Sequence, residues 1–94
     1  MEELNYKVTF AEGQEEAKHC DTYRLGYSEK DIFLDFGVLV RDEHSEKIEA
    51  AEILSRIALP IEALEQFLMA LFLTGRQYEA EYKRDIGMSL DEDS

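Results

Sequence analysis

The chain contains one cysteine, one proline and no tryptophan in 94 residues. A lone thiol, Cys20, cannot close an intramolecular disulfide, so no covalent staple holds the fold. Such sparing use of cysteine suits a reducing compartment, and the cytoplasm is the expected location. No apolar run approaches the roughly 18 residues of a membrane-spanning helix. The opening Met1-Glu2-Glu3-Leu4-Asn5 has neither the basic nor the apolar region of a signal peptide, so no export and no membrane attachment are expected. Basic residues are scarce too. Ten Lys and Arg stand against 22 Asp and Glu, a formal net charge of −12. That balance opposes direct nucleic-acid binding and anionic membrane surfaces, because both present negative phosphate. It leaves room for basic partners.

Chemistry-bearing constellations are also lacking. His19, Cys20, Asp21 and His44 are residue types that suit a metal, but no Cys-x-x-Cys pair or helically spaced histidine pair joins them. Cys20 has no evident base held by a third group, as a thiol nucleophile needs. Gly26, Gly37 and Gly75 stand alone, so no glycine loop is built to cradle phosphate. No basic patch with interleaved aromatics is present. The expectation is a protein that is not an enzyme and that holds no cofactor and no metal.

What is present is globular composition, 45% hydrophobic and 34% charged. A chain of this length has room for one core and buries only about 60–65% of its unfolded surface, so association stabilises it strongly. Three segments are expected. Residues 1–21 form an N-terminal segment, in which Tyr6, Val8 and Phe10 alternate as a possible short strand before an acidic connector. Residues 22–87 form a single domain, and 88–94 an acidic tail.

Within the domain, Tyr23, Leu25 and Tyr27 alternate with polar or small residues and predict a strand. Ser28-Glu29-Lys30-Asp31 reads as a hairpin turn. From Ile32 to Val40 both faces are mostly apolar, which predicts a central strand. Arg41–Lys47 is a charged loop, and Ile48–Leu59 a third strand, with helical propensity at Ala50-Ala51-Glu52. Pro60 then marks a change of period from two to 3.6. A helix is expected from about Pro60 to Asp85, stopped by Gly87. The predicted fold is α+β: an antiparallel three- to four-stranded meander with one long C-terminal helix packed on one face.

Ile61, Leu64, Leu68, Leu71, Gly75, Tyr78 and Tyr82 make one stripe at helical spacing, assigned to the sheet. Met69, Phe72 and Leu73 interrupt the polar side that remains. With Arg76 they predict an interface, since a soluble monomer seldom leaves such a patch open. Asp35, inside the apolar strand, needs a charge partner. Arg56 on the neighbouring strand is the expected one, in a structural ion pair.

Two segments carry a resemblance: Ser28-Glu29-Lys30-Asp31-Ile32-Phe33-Leu34-Asp35-Phe36-Gly37, and Arg56-Ile57-Ala58-Leu59-Pro60 followed by Leu64, Leu68, Leu71, Tyr78-Glu79 and Ile86-Gly87. Together, over Tyr23 to Gly87, they resemble a family of small bacterial proteins of unknown function. The shared features are a Phe-x-Leu-Asp-Phe strand, an Arg-Ile strand end closed by proline, and one long C-terminal helix. Glu62 and Glu65 depart from that pattern, standing where basic residues are common. A meander followed by a long helix is also similar, in architecture, to export chaperones of the SecB type. That similarity implies helices paired in a dimer or tetramer and apolar grooves for extended protein clients.

The reading is therefore a non-enzymatic, homo-oligomeric binding or adaptor module, chaperone-like in its handling of a client. The alternative is an acidic inhibitor, or nucleic-acid mimic, that occupies a basic cleft.

Overall fold

Alternating side chains from Thr22 onward set three strands, and the break in period at Pro60 sets one helix. The computed structural model describes residues 5–88. The expectations for residues 1–4 and 89–94 lie outside the described residues. Strands β1 (Thr22–Tyr27), β2 (Asp31–Arg41) and β3 (Ile48–Pro60) are followed by a 3-10 turn (Ile61–Ala63) and helix α1 (Leu64–Tyr82). The strands form one antiparallel sheet in the order β1-β2-β3, so the fold is α+β with β2 central.

Local chemistry fixes the register. In the first turn the Ser28 amide donates to the Asp31 carbonyl at 2.9 Å, and Ser28 Oγ accepts from the Lys30 and Asp31 amides. Tyr27 therefore faces Ile32, and Arg24 faces Asp35. Between β2 and β3 the register slips twice, at Phe36/Gly37 and at Val40/Arg41. Each slip is an extra residue on β3, a β-bulge, which bends the strand and increases its twist. At the first slip the β3 backbone crowds Gly37. A Cβ on Gly37 would collide with the Glu52 carbonyl oxygen. Only glycine fits that approach. Ala50-Ala51-Glu52 lies in β3 despite its helical propensity, because pairing with Val38, Leu39 and Val40 overrides it.

The fourth strand does not form. Tyr6–Phe10 carries no strand pairing, and Tyr6, Val8 and Phe10 are all exposed. The connector does reach the sheet. The Asp21 amide donates to the Gly37 carbonyl, Asp21 Oδ1 accepts from the Leu39 amide at 2.9 Å, and Lys18 Nζ donates to Ser55 Oγ.

The helix also differs at both ends from the expectation. Pro60 is the last residue of β3, extended at φ −60 and ψ 144, and the α-helix begins four residues later. The Ile61 amide donates to the Lys30 carbonyl at 2.8 Å, which ties the helix start to the β1–β2 turn. At the far end the helix stops at Tyr82, because Lys83 adopts a left-handed conformation (φ 56, ψ 43). The chain then folds back. Glu79 Oε2 accepts from the Ile86 and Met88 amides at 2.8 and 2.9 Å. Met88 lies so close to Gly75 that a Cβ there would sit 2.6 Å from its Cγ. The mid-helix glycine thus makes room for this returning segment.

No apolar side chain among the described residues is buried. The radius of gyration is 17.2 Å, against about 13 Å for a compact domain of roughly 100 residues. The exposed surface is 8748 Å², about 3,000 Å² more than a compact chain of this mass presents. The stripe assigned to the sheet is not closed on it: Leu68 and Leu71 remain more than half exposed. The layers are in place, but the core between them is open.

Candidate interaction surfaces

One surface is the groove between sheet and helix. Its floor is the sheet face that carries Tyr23, Leu25, Tyr27, Ile32, Leu34 and Phe36, and its wall is Leu64, Phe67, Leu68 and Leu71 of α1. Strand alternation puts the six floor residues on one face, because Tyr27 faces Ile32, Leu25 faces Leu34 and Tyr23 faces Phe36. Helical spacing puts the four wall residues on one side of α1. The groove volume is about 710 Å³, within the range of ligand sites. The lining residues named above are apolar or aromatic, with tyrosine hydroxyls as the polar exception. Tyr27, at the hairpin end, is 82% exposed.

A second surface lies on the flank of α1. Phe72, Leu73, Arg76, Gln77 and Ala80 surround a shallow hollow of about 470 Å³. The Arg76 guanidinium sits 5.9 Å from the Phe72 ring centroid, a cation–π contact that holds the arginine along the helix. Met69 and Leu73 are each more than half exposed, and Phe72 is half-buried. All four residues expected at the interface therefore share one exposed flank.

A third cluster occupies the opposite face of the sheet. Arg24, Asp35 and Arg56 are direct cross-strand neighbours on β1, β2 and β3. Arg24 Nε donates to Asp35 Oδ2 at 2.9 Å. Arg56 Nε lies 3.3 Å from Asp35 Oδ1, and its guanidinium stacks 5.1 Å from the Phe33 ring centroid. That second contact is a charge pair without hydrogen-bond geometry, so Oδ1 is buried and lacks a hydrogen bond. Asp35 is 3% exposed, while both arginine side chains are mostly exposed. Arg56 was the expected partner. Arg24, which makes the better bond, was missed, although counting across the Ser28–Asp31 turn brings it opposite Asp35.

Cys20 is a free, half-buried thiol. Asp21 is engaged by the Leu39 amide, and Asp42 accepts from the His44 amide and from Ser45 Oγ. Among the described residues no group of three His, Cys, Asp or Glu side chains is placed to hold a metal ion. None of their helices is long and apolar enough to cross a membrane.

Comparison with protein-family models, with curated proteins and with solved structures finds no match to this chain.

Proposed function

We propose that this chain is a non-enzymatic binding module that works as a homo-oligomer and holds extended apolar segments of a protein client in the groove between sheet and helix. One observation carries the reading: the apolar residues of both layers border an open groove, and none of them is buried. Large open apolar surfaces on soluble proteins mark binding sites. The groove is lined by side chains and offers few fixed polar groups, so it suits clients chosen by apolarity rather than by a chemical signature. The single free thiol suits work in the cytoplasm.

The test is titration of fluorescently labelled, extended peptides with the purified chain. Wild type is expected to bind peptides with alternating large apolar residues and to ignore polar peptides of equal length. Leu25→Asp with Leu68→Asp places one carboxylate on each side of the groove and is expected to weaken binding at least tenfold, on the order of the cost of burying an unpaired charge. Equal binding by the variant, or no binding by wild type, would refute the client groove.

A further inference from the structure

The geometry points to antiparallel pairing of α1 with the α1 of a second copy, along a seam of Met69, Leu73, Arg76 and Ala80. This deepens the oligomer reading and rests on it. The four residues recur at spacings of four, three and four, the pattern of a helix-pairing seam. They lie on a different side of α1 from the groove wall, and all four are exposed. The seam can therefore be covered while the groove stays open.

Charge on the seam side fixes the direction. Glu62 and Glu65 stand at its start, Arg76 and Lys83 in its later part, and all four are exposed. None of them forms an ion pair among the described residues, where Asp35 takes part in every ion pair. Parallel pairing would set each of these charges beside its own copy, acid by acid and base by base. Antiparallel pairing about a two-fold axis between Phe72 and Leu73 does the reverse. With a rise of about 1.5 Å per residue along α1, Glu65 comes level with the second copy's Ala80, and Glu62, in the 3-10 turn just before α1, lies toward the end where the second copy's Lys83 follows its last helical residue. Glu65 falls between the second copy's Arg76 and Lys83, and Met69 packs against the stem of Arg76. The symmetry repeats each contact, so one interface joins four acids to four bases.

Sedimentation of the full chain over a range of concentrations reads the association, with circular dichroism to confirm that each variant is folded. Glu62→Lys with Glu65→Lys is expected to weaken association about tenfold or more, by turning attraction into repulsion. The same pair lowers the net negative charge by four from −12, so general repulsion alone predicts tighter association, the opposite sign. Arg76→Glu with Lys83→Glu is expected to weaken it as well. A chain with all four reversals should return to within about threefold of wild type, because the complementarity is restored. If that chain associates as weakly as either double variant, or if neither double variant weakens association, the antiparallel register is overturned. Leu73→Glu separates the levels. Loss of association places the contact on this flank, whereas association at wild-type strength overturns the seam and leaves the oligomer reading standing. A wild type that stays monomeric overturns both.

Discussion

The two faces of the sheet handle polarity in opposite ways. Toward α1, the apolar floor residues Tyr23, Leu25 and Tyr27 are each more than 60% exposed. On the other face the carboxylate of Asp35 is almost wholly covered. The difference lies in how much chain each job requires. Covering one carboxylate takes two neighbours, and the register supplies them directly opposite, as Arg24 and Arg56. Covering a sheet face takes a layer of apolar volume, and a single 19-residue helix supplies only part of one. The carboxylate on the polar face is covered within the chain, and the apolar face stays open.

The heaviest blow to the polar face should come from Gly37→Val. A side chain there meets the β3 backbone and no yielding side-chain tip. Ordinary overpacking costs about 1–3 kcal/mol, but a clash with backbone cannot be relieved by a rotamer change, so the loss should approach the whole stability of a small domain, roughly 5 kcal/mol or more. Thermal denaturation should show Tm lowered by about 10 °C or more, or no cooperative transition.

Next is the Asp35 cluster. Removing both Arg24 and Arg56 as alanines leaves a buried carboxylate with no cation, which costs about 3–5 kcal/mol. Urea denaturation should show a larger loss of stability for Arg24→Ala than for Arg56→Ala, because only Arg24 makes a well-formed hydrogen bond. Asp35→Asn in the double-alanine background should recover part of the loss, since the uncharged amide is less costly to bury. Equal costs for the two arginines would mean that the bond geometry carries no weight.

On the apolar face the expected sign is different. Leu25→Ser should leave thermal stability within about 0.5 kcal/mol of wild type, because the side chain is already exposed, while weakening peptide binding. A large loss of stability would show that the groove is closed in the free chain and would remove the contrast between the faces. The smallest effect belongs to Glu79→Gln. A carboxylate that accepts two amides becomes an amide oxygen, and charge-assisted bonds are about twice as strong as neutral ones. Hydrogen exchange at Ile86 and Met88 should speed up severalfold with no change in global stability.

The strands and the helix were legible in the sequence because their periods are undisturbed by long-range effects. Tyr23-Leu25-Tyr27 and Ile32–Val40 could not alternate as they do in a helix. The flank of Met69, Phe72, Leu73 and Arg76 was legible for the same reason, as the set that did not fit the main stripe. Other features were hidden by causes outside any local pattern. Asp35 faces Arg56 only because β3 carries two extra residues, and without those bulges Leu54 would stand in that place. The helix ends at a lysine in a left-handed conformation, which composition does not signal. Gly75 falls in the stripe assigned to the sheet, yet its neighbour is Met88, brought back by a turn that depends on Glu79. The alternation at Tyr6, Val8 and Phe10 has the period of a strand but no paired neighbour, so pattern alone did not make one.

The central claim is that this chain is stabilised by association with a second copy while the groove between sheet and helix stays open for a client. Sedimentation velocity of the wild-type chain from low micromolar to high concentration tests it most directly. The account predicts a species of twice the chain's mass or more that dissociates on dilution. A single monomeric species at every concentration, with the hydrodynamic radius of a compact domain of this length, would contradict it.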